Sequence, residues 1–259
     1  MNNILQTIIF NLITILLCFS AVWLWQLKSK NAGVVDALWG FIFPLQAAIY
    51  FFAAGNYSLK NILILTAIVF WGLRLCIYLA YRNIGKPEDK RYAEIRFEAG
   101  TDANKKIFTF YIIQAALAFI LFIPIYFIFL NPSTNIGIFE GVGIALFIIS
   151  ALCEAIADEQ LRIFKADKEN IGEICDKGLW YYSRHPNYFF EWLVWLSIFI
   201  IALGADFGFI AIYMPIFMYY LLTKGTGVRM TEAIILSTKE HKYQTYINTT
   251  SAFIPWKKK

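Results

Sequence analysis

The fold this sequence predicts is an all-α integral membrane protein of seven transmembrane helices, N-terminus outside and C-terminus cytoplasmic. Three observations carry that expectation. Apolar side chains make up 59 % of the 259 residues and charged ones only 16 %, far from the balance of a soluble domain. The apolar residues gather into seven runs near the length of about 20 residues that crosses a hydrocarbon core. Every Lys and Arg except Lys60 and Arg74 falls in alternate connections or in the tail, the side the positive-inside rule assigns to the cytoplasm.

The runs are Ile4–Leu27, Val34–Ala54, Ile62–Tyr81, Ile107–Leu130, Ile136–Ala157, Tyr188–Leu203 and Phe207–Thr223. The first lacks a basic n-region at Met1-Asn2-Asn3 and is too long for a signal-peptide core, so it reads as a retained span. The second opens on Val35-Asp36-Ala37-Leu38-Trp39-Gly40, where Asp36 is either a helix cap or a buried acid. Arg74, inside the third, must snorkel or pair, and Asp36 is a suitable partner. After that run, Glu88-Asp89-Lys90-Arg91-Tyr92 reads as a solvated charge run. In the fifth, Gly137 and Gly141 allow close helix contact without setting an oligomeric state. The last two runs are short, and Gly204-Ala205-Asp206 between them reads as a tight turn.

Together these elements make residues 1–259 one polytopic domain of a multi-pass membrane protein, in the inner membrane if the cell is bacterial. Topology accounts for the net charge of +5, and no nucleic-acid partner is expected. Membrane lipids are the expected surroundings. Cys18, Cys76, Cys153 and Cys175 are scattered and point to neither a disulfide framework nor a metal site.

The outer connections are short and the inner ones long and polar, so function is expected on the cytoplasmic face. Glu154, Asp158, Arg162 and Lys165 share one face of a helix that prolongs the fifth run. That spacing suits an ordinary ion-pair ladder as well as a site, but Glu154 lies behind a long apolar stretch, where a carboxylate needs a polar cavity. The densest polar block is Gly178-Leu-Trp-Tyr-Tyr182-Ser-Arg184-His185-Pro186-Asn187-Tyr188-Phe-Phe190-Glu191. Burying so many hydrogen-bonding groups unpaired is costly. Pro186 marks a helix start. At such an N-terminus Arg184 and His185 suit phosphate, Asn187 offers an amide, and Glu191 follows one turn later. Tyr181 and Tyr188 read equally well as interfacial anchors. In the tail, Arg229, Glu232, Tyr243 and Tyr246 precede Phe253-Ile-Pro-Trp256-Lys257-Lys258-Lys259. A surface helix with a basic lipid anchor accounts for the last three lysines. Tyr243 and Tyr246 share a face that can line a pocket.

Taken in order, these blocks resemble the steroid 5-alpha-reductase superfamily, most closely its branch of unknown function. The resemblance rests on Val-Asp-Ala-Leu-Trp-Gly at 35–40, Gly-Leu-Arg-Leu at 72–75, Asp-Lys-Arg-Tyr at 89–92, Ser-Arg-His-Pro-Asn-Tyr at 183–188 with Glu191, and Tyr246 before Ser-Ala-Phe-Ile-Pro-Trp at 251–256. It implies a seven-helix enzyme that holds NADPH in a cytoplasm-facing cavity of its C-terminal part, about 136–259 here. It places Asp158, Tyr182, Asn187, Glu191 and Tyr246 near the cofactor. Glu154 stands where the reductases carry Asn, and Lys165 where they carry Arg. Arg162, Arg184, His185, Arg229 and Tyr243 complete the expected cofactor-binding set. Two departures stand out. Phe190 occupies a position where the branch has Gly. The Glu and Tyr that polarise a steroid enone have Asp36 and Trp71 as nearest counterparts, and an indole cannot serve as that acid. The acid is therefore expected to be Asp36 or Tyr92.

The implied activity is NADPH-dependent reduction of a carbon–carbon double bond conjugated to a carbonyl, in a lipophilic (steroid-like, isoprenoid or fatty-acyl) substrate from the bilayer. The alternative is an S-adenosylmethionine-dependent methyltransferase of the isoprenylcysteine or phospholipid type. Those enzymes carry a similar Arg-His-Pro-x-Tyr block and a later Glu before a Tyr-x-x-Tyr-like tail, here Glu232 and Tyr243-Gln-Thr-Tyr246. A third reading is a lipid-binding or transport protein without enzymatic activity, which the lack of an inverted repeat disfavours.

Overall fold

Apolar runs of this length satisfy their backbone hydrogen bonds internally as helices, and the computed structural model, which describes residues 2–258, is helical with no strand among the described residues. It divides into two compact units, Met1–Ile136 and Gly137–Lys259.

The first unit contains α1 (Asn2–Ser29), α2 (Val34–Ala54), α3 (Leu59–Asn83), α4 (Lys90–Ala99) and α5 (Ala103–Leu130). Helix α2 is its centre and packs on α1, α3 and α5. Two glycines bring α2 and α3 close together. A Cβ on Gly40 would lie 2.5 Å from the Cys76 backbone nitrogen, and one on Gly72 would lie 2.4 Å from the Pro44 ring. Pro44 lacks an N–H in the middle of α2, and Gly72 makes room for its ring. Polar side chains then tie three helices. Asn11 donates to Gln46 Oε1 at 3.1 Å and to Tyr50 Oη at 2.6 Å, and Gln46 donates to the Ala118 carbonyl at 3.3 Å. Leu5, Ile9, Ile13 and Leu17 form an exposed stripe at four-residue spacing along α1, the side a bilayer would cover.

Residues 88–92 are not a solvated charge run. Asp89 caps α4, accepting from the Arg91 N–H at 3.0 Å, and Tyr92 is buried. Glu88 accepts from the Ala32 N–H at 2.7 Å and from Arg96 at 2.9 Å, which fastens α4 to the α1–α2 connection. The charges are there because they hold a helix down, and a sequence run does not reveal such distant partners.

The second unit contains α6 (Ile138–Ala166), α7 (Pro186–Ala202), α8 (Tyr213–Thr223) and α9 (Val228–Thr249). Helices α6 and α7 run antiparallel. At one end a Cβ on Gly143 would come within 2.9 Å of the Ile201 nitrogen and the Ser197 carbonyl oxygen, and at the other Asn187 meets Asp158. The intimate contact is thus made at Gly143. Pro186 occupies the first turn of α7, as its fixed φ favours. The chain turns after Ala202, passes through a 3₁₀ segment at Gly208–Ile212, and enters α8.

Among the described residues, five stretches are long and apolar enough to cross a membrane: α1, α2, α3, α6 and Lys90–Leu130, which includes α5. Helices α7, with 17 residues, and α8, with 11, are shorter. This pattern fits a multi-pass membrane protein. Helix α9 is polar and broken at Lys239, whose φ of −141° and ψ of 40° are not helical.

Candidate functional site

The polar block of residues 178–191 folds as a 3₁₀ turn at Gly178–Tyr181, a short bend, and the start of α7. Its Arg184 is buried and points toward α9. Arg184 Nε donates to Glu232 Oε1 at 2.8 Å and Nη2 to Glu232 Oε2 at 3.3 Å, while Nη1 donates to the Ile247 and Thr250 carbonyls at 3.1 and 2.6 Å. His185 Nε2 lies 3.1 Å from Glu232 Oε1, and its ring stacks on Tyr188 at 5.4 Å. Tyr243 Oη donates to the same carboxylate oxygen at 3.2 Å.

Glu232 is the hub of this cluster, and the reading that chose cofactor residues by reductase likeness omitted it. The tail block and the methyltransferase alternative both include it. Burial by itself would raise the Glu232 carboxyl. Hydrogen bonds from His185 and Arg184, with the guanidinium charge, outweigh burial and hold it at about 2. Burial holds the His185 imidazole below its ordinary 6.5, even though the Glu232 hydrogen bond opposes the shift. The tautomer consistent with this geometry is a neutral ring donating its Nε2–H to the carboxylate. Burial also raises the Tyr243 phenol, and the Glu232 charge adds to the effect.

The bend in α9 makes the cluster possible. Glu232 and Tyr243 are 11 residues apart, which in a straight helix is about 16 Å of rise. That is beyond the combined reach of the two side chains along the axis. The break at Lys239 folds the helix so that both halves face Arg184.

Beside the cluster, Asn187 Nδ2 donates to Asp158 Oδ1 at 3.1 Å. The Asn187 side-chain Oδ1 is buried and accepts no hydrogen bond among the described residues. Asp158 and Glu154 are buried on α6. The antiparallel register sets half-buried Glu191 level with Glu154. Arg162 and Lys165 are exposed farther along α6, where Arg162 pairs with Glu159 at 2.6 Å. Arg229 is exposed in the first turn of α9, away from the Glu232 bonds.

The tail closes over the bend. Arg184 N–H donates to the Ser251 carbonyl at 2.8 Å, Ser183 Oγ to the Phe253 carbonyl at 2.8 Å, and Trp256 N–H to the Tyr182 carbonyl at 2.9 Å. The Tyr182 ring itself is exposed. Tyr246 is buried, and its hydroxyl bonds the Trp180 carbonyl, with the Ser183 carbonyl at 3.2 Å; burial raises this phenol too. Phe253 packs edge-on against Phe189, Trp192 and Tyr219, and Phe190 meets Phe189 at 5.3 Å. Lys258 is not a loose lipid anchor. It pairs with Asp176 at 3.0 Å and lies over the Tyr181 ring at 4.6 Å. Lys259, the last of the tail lysines, lies outside the described residues.

In the first unit the two candidate acids meet. Tyr92 Oη donates to Asp36 Oδ1 at 2.8 Å. Arg91 and Arg82 pair with Asp36 Oδ2 at 3.0 and 3.2 Å. These cations, rather than Arg74, neutralise Asp36. The connection that carries Arg91 is rich in charge and resembles a solvent-facing run, so its proximity to Asp36 is not visible in the sequence.

A protein-family profile described as "Protein of unknown function (DUF1295)" matches residues 22–250. A relative from Schizosaccharomyces pombe, described as "Uncharacterized protein C594.04c", is 27 % identical over 209 residues. That match covers 70 % of this chain, and the chain spans only 60 % of the relative's length. No solved structure matches the chain.

Proposed function

Because the chain belongs to the DUF1295 family and carries reductase-like blocks, we propose that it is a membrane-embedded NADPH-dependent reductase of the steroid 5-alpha-reductase superfamily, acting on a lipophilic substrate. The observation that carries this reading is Asn187. Its amide is oriented by Asp158, and its buried oxygen is an acceptor that a carboxamide or ribose donor would satisfy. Buried Glu154 and neighbouring Glu191 extend the same acceptor-rich face. Lys165, exposed on α6, is the cation we assign to phosphate, as a point charge without the fork of an Arg. When bound, NADPH supplies hydride. In this reading α7 and residues 208–223 complete seven spans, the N-terminus is outside, and the site faces the cytoplasm.

The methyltransferase reading has one observation in its favour. Arg184, His185 and Glu232, the residues it selects, converge on a single carboxylate. Titrating detergent-purified protein with NADPH and with S-adenosylmethionine while following Tm separates the two. NADPH at 100 times its Kd is expected to stabilise by about 2.7 kcal/mol, and Asn187→Ala to abolish that gain. Stabilisation by S-adenosylmethionine alone would replace the first reading with the second.

A further inference from the structure

Arg184 looks from sequence like an anion-binding residue: a cation one residue before a helix N-cap. Its geometry gives it other work. Its donors are committed to one carboxylate and two main-chain carbonyls, and its own N–H is bound by Ser251. The carboxylate belongs to the half of α9 before the Lys239 break, and the carbonyls of Ile247 and Thr250 belong to the half after it or its end. One guanidinium therefore pins both arms of a bent helix to the turn that starts α7. Three residues later in the chain, Asn187 projects its amide to Asp158.

We propose that Arg184 is a positioning residue: paired with Glu232, it fixes the bend of α9 around the 183–187 turn and so aims the Asn187 amide. The planar fork is what the task requires, because a guanidinium can serve a carboxylate edge and two carbonyls at once. A Lys ammonium keeps the charge but cannot hold that arrangement. Glu232 carries equal weight, since without it Arg184 is a buried cation lacking its counter-charge. His185 and Tyr243 brace the same carboxylate from opposite sides in sequence, one before α7 and one beyond the break. The tail bonds at Ser251, Phe253 and Trp256 close the clasp.

This inference rests on the reading that Asn187 contacts a nucleotide cofactor, and the test separates the two. NADPH and NADH affinities are measured for the detergent-purified full chain, for Arg184→Lys, for Glu232→Gln and for the double variant, alongside amide hydrogen exchange over residues 186–190. Each single variant is expected to weaken both nucleotides at least tenfold and by the same factor. The double variant is expected to lose no more than either single one, and exchange at 186–190 to quicken in all three. A loss confined to Arg184→Lys, with Glu232→Gln binding as tightly as the parent, would make Arg184 a direct phosphate contact and overturn the proposal. Failure of the parent chain to bind either nucleotide sinks the cofactor reading alone. The exchange data then decide the clasp: quickening at 186–190 supports it, and unchanged exchange in both single variants rejects it.

Discussion

A carboxylate that takes Arg184, His185 and Tyr243 at once titrates as part of the fold. Glu232 is held at about 2, below its ordinary 4.5, and His185 lies below its ordinary 6.5. In acid, both groups bind protons more readily in the unfolded chain than in the folded one. Stability from His185 is complete above pH 6.5 and falls as pH drops below it; stability from Glu232 is complete above pH 4.5 and is lost toward pH 2. The expected outcome is a Tm that declines from pH 7 to pH 4, with His185→Gln flattening the upper part of the decline and Glu232→Gln the lower part. A Tm unchanged between pH 7 and 4 in the parent protein would contradict this account. Arg184, His185 and Asn187 stand out as unusual polar residues before an apolar run. That Arg184 turns toward α9 depends on Glu232, 48 residues away, and no local pattern encodes that pairing.

Among the elements, the α2–α3 pair depends on two glycines and a proline in register. Gly72→Leu would drive its side chain into the Pro44 ring and the Gly40 carbonyl, both under 3 Å from the Cβ position. Overpacking of this kind costs about 1–3 kcal/mol, so the expected result is a detergent Tm lower by several degrees. The exposed Gly85, with nothing near its Cβ position, is a poor control because its φ is positive. Ala93→Leu on the exposed side of α4 serves instead and is expected to leave Tm nearly unchanged. Helix positions were largely legible, since long apolar runs leave the backbone little choice but a helix. Helix α4 was not, because its short, charged sequence lacks an apolar run. It is stabilised by Asp89 at its cap and by Glu88 and Arg91 reaching residues 32 and 36. The α9 break at Lys239 left no Pro or Gly to announce it.

For the whole molecule, the described helices include five stretches of spanning length and two shorter apolar ones. The seven-span proposal predicts that a cysteine at Asn56 or Ser133 labels from outside intact cells, whereas one at Lys224 or Lys257 labels only after permeabilisation. Outside labelling at Lys257 would reverse the topology. Each unit also needs its own polar fastening. Asn11, Gln46 and Tyr50 act inside the first, and the Arg184–Glu232 clasp acts inside the second.

The sequence by itself determined that this chain is helical and carries apolar stretches of the length that fits a multi-pass membrane protein, because hydropathy acts locally and additively along the chain. It also marked residues 178–191 as too polar to be idle. Only the tertiary structure decided which of those polar groups face one another. Hydrogen bonds such as Arg184–Glu232, Asn187–Asp158 and Tyr92–Asp36 join residues far apart in sequence, and they exist only once a bend, a helix register and a close glycine contact have brought them within about 3 Å.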